Sequence, residues 1–180
     1  MDKKQKDLYD FIQHYAFNEI DRCVLAKLKI EKVRKAIDCL KVCSDISWLD
    51  HDTGATIPNS EMENHKFHLQ PEPIYPTEIE SLASHFCRIY DIVREKFPEE
   101  HESLMSTLKN ADTLDPLFNS MTMLSPWVFI GIFAWFVSFD AIWDGWMGYG
   151  IRNNVFLKGL LHLEDAWKWY KSTKTRRNHE

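Results

Sequence analysis

Trp127-Val-Phe-Ile-Gly-Ile-Phe-Ala-Trp-Phe-Val-Ser-Phe139 is the stretch on which the fold turns. It lies in an interval, between Asp115 and Asp140, that contains no charged side chain. Such a run is either the central buried helix of a bundle or a membrane span. Spanning takes about 20 apolar residues, and Met121 to Phe139 just reaches that length. Trp127 and Trp143 lie roughly 24 Å apart along a helix rising about 1.5 Å per residue, which suits two interfacial aromatic belts. Other details oppose a span. Ser125-Pro126 reads as an N-cap followed by proline at the first helical position. Trp135 falls mid-run, and Asp140 and Asp144 arrive early on one face. The remaining helices carry apolar stripes that need a partner, and a helix apolar all round is what a bundle centre requires. We read 126 to about 147 as a core helix, with a membrane anchor at about 121–146 as the alternative.

Downstream, Gly145, Gly148 and Gly150 break this helix. The last helix is expected from Asn154 to Lys171, with Phe156, Leu160, Leu163, Trp167 and Tyr170 on one face. His162 points away from that face, toward solvent or Asp165. Upstream, Thr77-Glu-Ile-Glu80 reads as a capping box, and Ile79, Leu82, Phe86, Ile89, Val93 and Phe97 form the stripe of the helix it opens. Pro98 separates that helix from a short one over 99–110. Residues 5–47 lack Gly and Pro and carry two stripes whose phase shifts near Lys29; this allows one long helix that changes partner or two helices with a tight break, and we favour two packing partners. Trp48 to Pro76 holds four of the seven prolines and reads as a long irregular loop at about 49–76, of the kind that is functional or mobile. The expected fold is all-α. A single helical domain, 1–171, packs five to six helices around the aromatic-rich helix, and a basic flexible tail follows over 172–180. Its expected core includes Phe86, Ile89, Val93, Phe129, Phe133, Phe136, Leu160 and Trp167.

The totals fit one folded domain: 180 residues, 44% hydrophobic, 27% charged and a net charge of −5. That charge argues against a general nucleic-acid binder. Its distribution says more: residues 44–120 carry fifteen acids against five bases, while the last fifteen residues carry five bases against one acid. The plain reading is solvated helix faces; the sharper one is a basic tail, 168–177, that meets nucleic acid or another anion. Cys23, Cys39, Cys43 and Cys87 lie in helical segments beside apolar residues, unlike a secreted disulfide framework. With no apolar stretch behind the N-terminal lysines, a cytoplasmic protein is expected, or a membrane-associated one under the alternative.

Three constellations bear on chemistry. Asp140 and Asp144, four apart, project from one helix face near Arg152 and Asn153. Paired carboxylates hold metals or act as acid and base; the plainer reading is the polar exit of a core helix. His65-x-x-His68, with His51, Glu61 and Glu63 nearby and Cys39-x3-Cys43 upstream, supplies zinc-type ligand chemistry. The cysteines continue an apolar stripe, so we assign neither metal nor cofactor. Arg94-x6-His101 resembles the Arg and His spacing of the all-helical HEPN ribonuclease family. That resemblance implies a pair acting on a scissile RNA phosphate. It covers two positions, departs from the family pattern at Glu95 and is interrupted by Pro98, so no family is assigned.

The function expected first is a non-enzymatic interaction or regulatory protein. It would hold a macromolecular partner, another protein, through the 51–70 loop with His65 and His68 and through an aromatic edge near 143–152 carrying Trp143, Trp146 and Tyr149. Aromatic side chains are favoured interface anchors. The alternative is an enzyme acting on RNA or another phosphate-containing substrate through Asp140, Asp144 and Arg152, or through Arg94 and His101. Oligomeric state stays open.

Overall fold

The computed structural model of the chain describes residues 17–109, 125–140 and 146–177. Among them are seven α-helices: α1 Glu19–Lys27, α2 Ile30–Val42, α3 Thr77–Lys96, α4 Pro98–Lys109, α5 Pro126–Asp140, α6 Trp146–Arg152 and α7 Val155–Arg177. The fold is essentially all-α, as the periodicities imply. It also contains a small antiparallel sheet of three strands, β1 Ser47–Leu49, β2 Thr56–Pro58 and β3 Glu72–Ile74, in the order β2-β1-β3.

Helix α5 is the aromatic stretch, and it is the hub. It packs against α1, α3, α4, α6 and α7. Phe129, Ile130, Ile132, Phe133 and Phe136 are all almost fully buried. Phe133 meets Phe86 of α3 edge-on at 5.1 Å, as the quadrupole of each ring favours, and Phe156 of α7 at a tilt at 4.7 Å. No described helix is long and apolar enough to cross a membrane. The described part of the run at 121–146 spends its apolar surface on neighbouring helices. The expected core residues are buried, with Trp167 half-buried against the others.

The start of α5 is built as its sequence suggests. The Ser125 hydroxyl accepts the Val128 N–H at 3.1 Å, satisfying one of the orphan donors of a helix start. A second donor, the Trp127 N–H, reaches Oδ1 of Asp21 at 3.1 Å. Asp21 is fully buried in the first turn of α1, whose own N-cap, Asn18, accepts the Asp21 N–H at 2.8 Å. Its carboxylate therefore serves the positive ends of two helices at once.

The phase shift near Lys29 is a tight break between two helices, at Leu28–Lys29, where the Lys29 N–H donates to Nε2 of His85 at 3.0 Å. Other boundaries differ from expectation. Thr77 is the first residue of α3 rather than its cap: Pro76 occupies the cap position and no side chain closes it. The capping box is absent because the chain enters the helix one residue early. Helix α7 continues past Lys171 to Arg177, with the Ser172 and Thr173 hydroxyls donating back to the Trp169 and Tyr170 carbonyls at 2.8 and 2.9 Å. His162 is buried, not solvated, because α7 is covered on more of its circumference than one stripe. The loop at about 49–76 is where the sheet lies. Trp48 anchors it, buried, with its indole N–H donating to Asn59 at 2.9 Å.

Close approach to α5 makes testable demands. A Cβ on Gly159 of α7 would collide with the buried ring of Phe129, so Gly159→Ala should lose about 1–3 kcal/mol despite the better helix propensity of Ala. Phe133→Ala should cost about 3–5 kcal/mol. Asp21→Ala should cost about 1.5–3 kcal/mol, with Asp21→Asn recovering part because its amide oxygen still accepts the Trp127 N–H. Urea unfolding with unchanged m-values checks all three.

Candidate functional site

Hairpin β1–β2 turns through Asp50-His-Asp-Thr-Gly54, an Asp followed by turn formers. The Asp50 N–H donates to the Ala55 carbonyl at 2.9 Å, the Gly54 N–H to the Asp50 carbonyl at 2.7 Å, and Gly54 takes a φ of 71°. The Asp50 carboxylate, 1% exposed, then organises the turn. It accepts the Asp52 N–H at 2.9 Å, the Thr53 hydroxyl at 2.8 Å and Nε2 of His65 at 2.9 Å. The His65 hydrogen bond, with those of Thr53 and Asp52, outweighs burial and holds the Asp50 carboxyl at about 2. Asp52 repeats the device one layer out, accepting the His68 and Leu69 N–H groups at 2.9 and 3.2 Å. Two carboxylates thus tie 50–55 to 65–69. Neither was singled out from the sequence, although Asp-x-Asp-Thr-Gly carries the turn signal that would have found them.

Helix α6 packs against the two residues that precede β1. At Gly148 a Cβ would stand 2.6 Å from Cδ1 of Ile46, so only glycine lets the helix come this close. Arg152 Nη1 meets Asp45 Oδ1 at 3.2 Å in a partly exposed pair. The 146–152 segment, distant in sequence, therefore lies beside Asp45 and Ile46, the residues that lead into β1. Met147 is buried there, whereas Tyr149 is 39% exposed and Leu69 56% exposed. Between the first half of α3, Val137 of α5 and Met147 of α6 is a cavity of about 350 Å³. Tyr75, Ile79, Ala83, Cys87, Val137 and Met147 line it, with Glu80 and Ser84 at its polar edge. Such a volume lies at the small end of the roughly 300–1,000 Å³ usual for ligand sites. Only Met147 and its neighbours were approached by sequence reasoning; the α3 side of the cavity was read purely as core.

The candidate catalytic residues fall in different places. Asp144 and Trp143 lie outside the described residues, as do the side chains of Asp140 and Trp146. Of that constellation, Arg152 pairs with Asp45, and the Asn153 amide donates to the Tyr149 carbonyl at 2.9 Å. Arg94 pairs with Asp91 at 3.2 Å on the surface of α3. His101 of α4 bonds through Nε2 to the Tyr90 hydroxyl at 2.5 Å, and Tyr90 stacks on Trp127. Burial, then the nearby Arg94 charge, lowers the His101 pKa. The Cys87 thiol is pushed up by burial and Asp91 and is thereby a poor nucleophile. His51 meets Glu72 at 3.5 Å, away from His65, and Cys43 donates to the Asp45 carbonyl. No three metal-ligating side chains converge among the described residues. On the basic end, Lys168 is paired with Glu164 and Asp165, and Lys171 lies over the Trp167 ring.

No family model, curated protein or solved structure matches this chain.

These groups predict two acid transitions. The pKa values of His85, His101 and His162 are lowered, chiefly by burial, so the folded state resists their protonation. Their stabilisation is complete above pH 6.5 and declines as pH falls through that value, by at most about 1.4 kcal/mol per pH unit per proton. His85→Gln, which keeps an acceptor for the Lys29 N–H, should flatten that slope. The Asp50 contribution is full above its ordinary value of 3.8 and is lost between there and about 2; Asp50→Asn should remove this second step. Thermal unfolding across pH checks both.

Proposed function

We propose that this chain is a non-enzymatic interaction or regulatory protein, and that it holds a protein partner on the pole built from the 51–70 loop and the α6 edge. The observation that carries this reading is the bracing of an exposed loop by two carboxylates, Asp50 and Asp52. Beyond its share in stability, such rigidity suits a binding surface, because a loop already ordered loses little entropy on association. His68, Leu69 and Tyr149 are left exposed on this frame, and His65 is half-exposed with its ring oriented by Asp50.

The test is site-specific photo-crosslinking in the source cells from positions 69 and 149, with Glu99 on α4 as control. Crosslinks to one protein from 69 and 149 but not 99 are expected. The purified partner should then bind about tenfold more weakly to Leu69→Asp, with Tm shifted by no more than about 2 °C, as for an exposed site. Binding indifferent to that change would sink the reading.

A second reading, an enzyme acting on RNA or another phosphate-containing substrate, is favoured by one arrangement. Burial, and then the Arg94 charge, lower the pKa of His101, which the Tyr90 hydroxyl orients. A neutral imidazole beside a guanidinium suits general-base work on a phosphate ester. It requires RNA cleavage by the purified chain that His101→Ala and Arg94→Ala both abolish while leaving Tm unchanged. Cleavage that survives either change removes it.

A further inference from the structure

We propose that the cavity between α3, Val137 of α5 and Met147 of α6 takes one large apolar side chain of a basic peptide segment, whose Lys or Arg residues meet Glu80 on its rim and the acid-rich surface of residues 44–81. This deepens the binding reading above and rests on it. The floor and walls are apolar: Ile79 and Met147 are 1% and 3% exposed, with Tyr75, Ala83 and Val137 around them. A site with this lining and a volume of about 350 Å³ fits a Phe, Leu or Met side chain better than an extended chain. Apolar anchors seated in desolvated pockets supply most of the energy of a small interface.

Charge decides the class of partner. Residues 44–81 carry eight acids against a single base, Lys66. Asp45 is tied to Arg152, Asp50 is buried against His65 and Glu72 faces His51. Glu80 stands exposed on the cavity rim, and Glu61 and Glu63 are exposed in the 3-10 turn Asn59–Asn64. None of these three is in an ion pair among the described residues. A neutral apolar ligand leaves those carboxylates unused, whereas a basic segment neutralises them. Arg88 lies two turns beyond Glu80 on α3, roughly 12 Å away along the axis, so the partner's cations belong on the Glu80 and β3 side. Strand β3 is an edge, but Pro71, Pro73 and Pro76 remove N–H groups that a partner strand would need. Recognition by an inserted side chain replaces strand addition.

The probe is a short synthetic fluorescent peptide with one Phe flanked by lysines, titrated against the full chain by anisotropy. Replacing its Phe by Ala should weaken binding roughly thirtyfold, and raising the salt should weaken it further. Glu80→Lys, an exposed change that leaves the core intact, should weaken it about tenfold. In a Cys23→Ser, Cys39→Ser, Cys43→Ser background, the bound peptide should slow alkylation of Cys87 in the cavity wall. No binding, equal binding by a peptide with Glu in place of Lys, or unaltered Cys87 alkylation would each overturn the proposal. Such a failure with crosslinking at positions 69 and 149 retained removes the cavity's occupant alone. Loss of that crosslinking removes the binding pole itself.

Discussion

Helix α5 has no polar face, and that constraint arranges everything around it. A helix of this kind in water must be enclosed on every side, and one or two amphipathic partners leave part of it wet. The chain meets the requirement by packing α1, α3, α4, α6 and α7 against it. Each contributes an apolar face, and the large rings of Phe86, Phe129, Phe133, Phe136 and Phe156 fill the space between them. Gly131 and Gly159 mark where a neighbour comes too close for even a methyl group. The hub thus tolerates little change in volume, as expected of an interior packed to crystal-like density.

Burying such a helix leaves the problem of its ends, whose N–H groups also leave water. Asp21 answers it at the start of α5. A fully buried carboxylate is costly unless its oxygens are bonded, and here the Trp127 N–H and the positive end of its own helix supply that. The same logic recurs in the β1–β2 turn on a smaller scale. Asp50 is nearly buried and tolerable only because Asp52, Thr53 and His65 all donate to it. One acid thus fixes the core helix and another fixes the loop proposed to bind. The proposed pole therefore stands on the hub: α6, which follows α5, carries both Gly148 against Ile46 and Met147 in the cavity wall.

The elements legible in the sequence were those with long-range order in their pattern. The α3 stripe from Ile79 to Val93, the Ser125-Pro126 start of α5 and the α7 stripe from Phe156 to Leu163 all appear where periodicity and capping put them. The strands did not show, because each is three residues long and period-two alternation has no room to repeat. Thr77 misled because a capping box is a local rule, and Pro76 takes the cap position instead. His162 misled because a single stripe describes a helix with one neighbour, while α7 meets α1, α2, α5 and α6.

The sequence by itself determined that this is a helical protein organised around 126–140, since a charge-free aromatic run with a soluble-style N-cap admits few other solutions. Local propensity and solvent exclusion act on neighbours along the chain, and those can be read directly. Only the tertiary structure decided which distant residues meet: Asp21 with Trp127, Asp45 with Arg152, Ile46 with Gly148, and Tyr75 with Val137 and Met147 around one cavity. These pairings follow from how helix faces of similar hydrophobicity sort against one another. That sorting depends on shape and volume, which hydrophobic spacing alone does not encode.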